Sequence, residues 1–206
     1  MTPIRIRRKA LSSSMSARLF DGLRVPAKLG GHPALDFANT RAGWWTDTPT
    51  EYLHSFRHMV VMTGYLGLLD METVNALKIR DAPAVLRRAL AFRVALFDVL
   101  TQAESASAWK LVQREFALAA PKRRLLSGPP ARFGWDGDEV SLPLHALAWS
   151  AGELIAADRF DEIHVCVGTG CGFLFLDPRG RRRWCTMAVC GNRSKVRSYA
   201  LRARDG

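Results

Sequence analysis

All four cysteines of this 206-residue chain fall in one short window near its C-terminus, spaced Cys166-x4-Cys171-x13-Cys185-x4-Cys190. Two pairs of thiols separated by a hairpin-length spacer are what one tetrahedral metal site needs. Each short loop turns two thiolates toward the ion, and the spacer brings the pairs together. The loops hold four residues rather than the commoner two, so this is not the usual ribbon spacing. Free thiols and two disulfides are the competing readings. Clustering weighs against the first, and the lack of a signal-like apolar stretch against the second. The expectation is one structural Zn²⁺ per chain on Cys166, Cys171, Cys185 and Cys190.

The residues around the ligands suggest one small module. Phe173 to Leu176 is an apolar run stopped by the turn sequence Asp177-Pro178-Arg179-Gly180, and Arg181 to Cys185 then returns, so the spacer reads as a β-hairpin. From Asn192 to Arg204 there is no glycine or proline, and Val196, Tyr199, Ala200 and Ala203 recur at i, i+3, i+4 and i+7. That predicts a helix with one narrow apolar stripe, opening near the last ligand. Knuckle, hairpin and helix in this order make a treble-clef-like zinc finger.

At this point the residues resemble a known family. Cys190-Gly191-Asn192-Arg193, with Arg183 to Met187 and Cys171 to Asp177 before it, is similar to the CGNR zinc-finger family. The stretch Gly31-His32-Pro33-Ala34-Leu35-Asp36-Phe37-Ala38-Asn39-Thr40 resembles the opening of that family's N-terminal, mostly helical domain. The resemblance implies zinc bound by the four cysteines, DNA binding, and a role among stress-response transcription regulators.

Charge is unevenly spread over the chain, whose total is +11. Residues 1–28 hold seven Lys/Arg and one Asp, and residues 166–206 nine Lys/Arg and two acids, whereas residues 29–165 are close to neutral. A cationic surface binds polyanions through counterion release, whatever the base sequence. Candidate nucleic-acid contacts are Arg181, Arg182 and Arg183 in the spacer, with Arg193, Lys195, Arg197, Arg202 and Arg204 on the helix. Arg183 and Arg193 have a competing use, because a Zn(Cys)₄ centre is formally anionic and neighbouring arginines offset it. Trp184, beside a ligand, is expected to pack on the metal module rather than stack on a base.

Between these ends the pattern is helical, giving a mainly α chain with three parts: a basic, flexible extension at 1–28, a helical domain with a small β-hairpin at 29–160, and the finger at 161–206. Thr48-Pro49-Thr50-Glu51 has the form of a capping box and predicts a helix through Leu53, Phe56, Met59 and Val60. Asp70 is placed to cap a short helix, Asp81 to open the longest one to about Ala103, and Trp109–Ala119 and Leu144–Ala157 to be two more. Ala131–Trp135 and Glu139–Leu142 suggest the small hairpin.

His32 is expected to cap or pack at a helix entry, and His54 and His58 to form a surface pair without a third ligand. No nucleophile elbow, phosphate loop or zincin pattern is present, and a closed Cys₄ centre leaves no open position for catalysis. The chain is therefore expected to be cytoplasmic, away from membranes and not an enzyme. Its expected partner is nucleic acid, DNA first. A homodimer and a small-molecule effector in the helical domain are the further partners considered. The alternative is a protein-interaction adaptor or small-ligand-binding protein whose finger only completes the fold.

Overall fold

The computed structural model describes residues 17–137 and 139–203. Among the described residues, four two-stranded antiparallel hairpins punctuate seven α-helices. The order is β1 (Ala17–Phe20), β2 (Leu23–Pro26), α1 (Pro33–Ala38), β3 (Arg41–Ala42), β4 (Thr50–Glu51), α2 (Phe56–Tyr65), α3 (Met71–Leu77), α4 (Pro83–Leu100), α5 (Ala106–Ala119), β5 (Arg123–Leu126), β6 (Arg132–Trp135), α6 (Leu142–Ala156), β7 (Ile163–Val165), β8 (Leu174–Leu176) and α7 (Asn192–Arg202). The mainly α expectation, with hairpins and a C-terminal cysteine cluster, holds. Among the described residues no helix is long and apolar enough to cross a membrane.

Helix α6 occupies the middle of the helical part. Leu144, Ala146, Leu147, Ala148, Ala151 and Leu154 along it are all buried, which places it against α1, α2, α4 and α5. A helix apolar on several sides must be buried on several sides. Phe37 of α1 and Phe92 of α4 stack at 5.8 Å in the same core. Asp70 caps α3 through Thr73 N–H, and the His32 side chain accepts from Ala34 N–H at the entry to α1, as the sequence led us to expect. His54 and His58 meet edge to face at 5.3 Å, and among the described residues only the four cysteines group as metal donors.

Several boundaries differ from expectation, each for a local reason. Helix α2 begins after Ser55, whose hydroxyl accepts from His58 N–H, and not at the Thr48 box. Glu51 does not cap there; it accepts from Tyr52 and Leu53 N–H and pairs with Arg93 of α4, while Thr50 is drawn into β4 opposite Ala42. The segment 131–135 does form a strand, but its partner is 123–126, with Leu125 opposite Phe133. Residues 139–142 lead into α6 instead. Residues 17–26 of the basic extension form an ordered hairpin that packs on α2, with Val25 buried. Residues 1–16 lie outside the described residues.

The finger is joined to the helical part by shared hydrogen bonds. Asn39, fully buried, spends both ends of its amide on Leu174: its Nδ2 donates to the carbonyl at 2.9 Å and its Oδ1 accepts from the N–H at 2.8 Å. One side chain thus supplies the pairing that a neighbouring strand would. Leu176 N–H donates to Gly30 O, and Leu174 itself sits in the main core.

Asp36, at the same seam, gives a pH prediction. Its Oδ1 accepts from Leu29 and Gly30 N–H at 2.9 and 2.8 Å, but burial dominates and pushes its carboxyl up to about 6. The folded state therefore favours the protonated acid, and this contribution to stability is present below the unfolded value near 4 and lost as pH rises through about 6. Asp36→Asn keeps the accepting oxygen and removes the charge. It is expected to be more stable than the parent by on the order of 2 kcal/mol at pH 7.5 and level with it near pH 4. Denaturant titrations of both proteins at the two pH values check this, and equal stability at pH 7.5 refutes it.

Candidate metal centre

The cysteine sulfurs converge from three pieces of chain. Cys166 follows β7, Cys171 closes the knuckle before β8, and Cys185 and Cys190 flank a turn that enters α7. All four sulfurs lie within 4.8 Å of one another. Cys171 and Cys185 are 3.8 Å apart and Cys185 and Cys190 3.6 Å, so these contacts are not disulfides and all four cysteines are free. A tetrahedral ion with metal–sulfur bonds of about 2.3 Å has sulfur–sulfur edges of about 3.8 Å. The donor set and its spacing fit one such ion.

Local chemistry explains the convergence. Cys166 N–H donates to Phe173 O and Cys171 N–H to Gly168 O, which closes the first knuckle. A Cβ on Gly168 would lie 3.0 Å from the Cys190 sulfur and 3.3 Å from that of Cys166, so no larger residue fits there without moving the ligands. Gly172 has φ +69, and a side chain there would strike Trp44 at 2.7 Å. Thr186 opens the second turn: its hydroxyl accepts from Ala188 N–H, and its carbonyl accepts from both Cys190 and Gly191 N–H. Residues Met187–Gly191 form a wide π-helical turn that runs into α7, and Asn192 closes it by donating from Nδ2 to Ala188 O.

Hydrogen bonding between sulfurs holds the Cys166 thiol low, through Cys171 first, and pushes Cys171 and Cys185 up, through Cys166 first. Four thiolates in contact repel one another, and a central divalent cation removes that conflict.

The spacer is not the hairpin expected from its sequence. Strand β8 pairs with β7, Ile163 opposite Leu176 and Val165 opposite Leu174, so the hairpin encloses the first knuckle and not the spacer. The return segment is held by Arg182, whose N–H donates to Asp177 Oδ2, whose guanidinium donates to Leu176 O and Cys185 O, and which lies over the Phe175 ring at 4.3 Å. Arg182 thus has a structural use. Trp184 is half-buried against the cysteine cluster, with the Arg183 guanidinium 5.3 Å from its ring centroid.

Helix α7 departs further from expectation. Its apolar stripe does not pack: none of its residues is buried, and Val196 and Tyr199 are 69% and 72% exposed. Arg181, Arg183, Arg193, Lys195, Arg197 and Arg202 are all exposed, and among the described residues none forms an ion pair with a carboxylate. Arg197 donates to Thr169 Oγ1 at 2.9 Å, which ties one edge of the helix to the first knuckle. Arg204 lies outside the described residues.

Sequence reasoning gave no role of their own to Asn39, Thr186 or the Arg93–Glu51 pair. Their partners are distant in sequence or are backbone atoms, so no local spacing announces them. Comparison with protein families places residues 31–158 in the ABATE model, described as "putative stress-induced transcription regulator", and residues 162–204 in the CGNR zinc finger. A search of curated proteins returns no match.

Proposed function

Because the chain belongs to the ABATE family, whose model is described as "putative stress-induced transcription regulator", we propose that it binds DNA through a Cys₄ zinc finger that displays α7. One observation carries this reading. Arg193, Lys195, Arg197 and Arg202 stand exposed on a helix with no fully buried residue, Arg183 lines a groove beside it, and among the described residues none of these cations pairs with a carboxylate. A solvated helix of a monomer is under no pressure to concentrate like charges, which repel one another; an anionic partner relieves that repulsion. Zinc serves as scaffold: Cys166, Cys171, Cys185 and Cys190 hold it, and the closed thiolate set makes it structural rather than catalytic. Arg182 is left out of the contact set, because it closes the spacer.

The two parts meet at the loop between β3 and β4. Gly43 N–H donates to Cys171 O, and a cleft of about 220 Å³ lies between this loop and the finger, lined by Thr46, Thr48, Thr50, Thr169, Thr186 and Arg193. An effector seated there would touch both parts, which makes it the best place for a ligand that regulates binding.

The test is duplex binding by the full zinc-loaded chain as salt is varied. Each phosphate contact contributes roughly 0.9 to the log–log slope. Changing Arg193, Arg197 and Arg202 together to glutamine is expected to lower that slope by between two and three and to weaken binding at least tenfold at 0.1 M salt. Metal analysis should return close to one zinc in both proteins. Parent-like affinity and slope in the triple variant would exclude this surface and favour the adaptor alternative.

A further inference from the structure

Helix α7 is asymmetric around its circumference in a way the charge count alone does not convey. Ser194 is its one half-buried residue, and it faces the finger together with Ser198, whose hydroxyl bonds back to Ser194 O. Leu201 lines the same side, so the face toward the metal module carries two small side chains and one leucine. A groove runs along each side of this serine row. One, of about 420 Å³, is bordered by Arg193 and Arg197. The other, of about 720 Å³, is bordered by Lys195 and Arg202, with the inner edges of Val196 and Tyr199 beside them and Arg183 and Trp184 across it. The face opposite the serines carries Val196, Ala200 and Ala203, with Tyr199 at its border, as the spacing of about 100° per residue requires. All four are exposed.

An outward apolar stripe with cations along both flanks matches one anionic partner closely. A helix lying in the major groove of B-form DNA presents its leading face to base edges and its two flanks to the two phosphate backbones. The groove floor offers an apolar group at one base only, the thymine C5-methyl. We propose that α7 enters the major groove of duplex DNA, and that Val196, Tyr199, Ala200 and Ala203 read thymine methyl groups while Arg193 and Arg197 on one side and Lys195 and Arg202 on the other hold the two backbones. This rests on the nucleic-acid reading above and names its substrate: duplex DNA rather than single strands or RNA, whose A-form major groove is too narrow for a helix. At 11 residues the helix is about 16 Å long, enough to follow the groove for several base pairs.

The experiment uses the full zinc-loaded chain and a set of 20-base-pair duplexes. These are an A·T-rich duplex, the same duplex with deoxyuridine for thymidine, a G·C duplex with and without 5-methylcytosine, the single thymidine strand, and the matching RNA duplex. Removing the methyl groups is expected to weaken binding roughly fourfold for each methyl that the stripe buries. Adding them in 5-methylcytosine should strengthen it. Val196→Ser with Tyr199→Ser should abolish the methyl dependence and leave the salt slope unchanged, whereas Lys195→Gln with Arg202→Gln should lower the slope and keep the methyl dependence. Salt-dependent duplex binding that ignores the methyl groups, or equal affinity for single strands or RNA, overturns this inference and leaves the nucleic-acid reading intact. Absence of binding to every probe overturns both.

Discussion

Removing the metal, by a strong chelator or by Cys185→Ser, is expected to release the chain from about residue 177 to 203 and to leave the rest folded. The reason lies in what that segment buries. Between Asp177 and Ala203 the buried residues are Asp177, Cys185, Cys190 and Gly191, so the cysteines are its only buried apolar side chains. Helix α7 has 11 residues, below the length at which an isolated helix persists in water. Apart from the sulfurs, it is tied down by little more than the Arg197–Thr169 bond. Zinc binding in small modules is worth about 10–16 kcal/mol and is coupled to folding, so no other contact in the segment can replace it.

The opposite holds for β8. Leu174 lies in the main core, Asn39 bonds both of its backbone groups, and Gly30 O accepts from Leu176 N–H. Amide exchange on the chelated protein should show α7 and the second knuckle fully exchanged, β8 still protected, and α4 and α6 close to the parent. Retention of α7 protection after metal loss would refute a metal-dependent helix. Equal loss throughout would show that the Asn39–Leu174 junction couples the two parts into one cooperative unit.

What could be read in the sequence follows from how local each interaction is. The cysteine window, the long helices α4 to α6 and the cationic C-terminus rest on spacing and composition, and these survive in the structure. The spacer hairpin does not form because strand pairing depends on the competing partner: Ile163–Val165, just before the first ligand, takes Leu174–Leu176, and Arg182 then occupies the carbonyls of Leu176 and Cys185. Periodicity places the stripe on α7 but does not say which way it faces. In a core helix the stripe points inward; here serines take that side. The Thr48 box failed because Glu51 has a stronger use. An N-cap bond contributes about 1 kcal/mol, and a buried guanidinium 42 residues away demands more than that.

That guanidinium sets the second large effect. Arg93 is 2% exposed, donates to Thr40 Oγ1 at 2.9 Å, and pairs with both oxygens of Glu51 at 2.7 and 2.5 Å. The two partners are not equivalent, because Glu51 is 33% exposed. Arg93→Met leaves a carboxylate that can turn to water, and is expected to cost about 1–3 kcal/mol. Glu51→Ala leaves a buried charge with no counterion and is expected to cost about 3–5 kcal/mol, lowering Tm by roughly 10 °C. Desolvation opposes ionisation of Glu51, but Arg93 and the Tyr52 and Leu53 N–H groups together hold its carboxyl below the ordinary value. The pair's contribution is thus fully present above the unfolded Glu value of about 4.3 and is lost as pH falls through the lower folded value. The difference between parent and Glu51→Ala should therefore shrink below pH 4.

The effect should also reach the metal. Thr40 and Glu51 bracket the loop whose Gly43 N–H holds the Cys171 carbonyl, so releasing Arg93 slackens one wall of the first knuckle. Zinc competition with a colorimetric chelator should show weaker retention in Glu51→Ala than in the parent at a temperature where both remain folded. Unchanged zinc affinity beside a lowered Tm would confine Arg93 to the helical core and remove the β3–β4 loop as a link between the two parts.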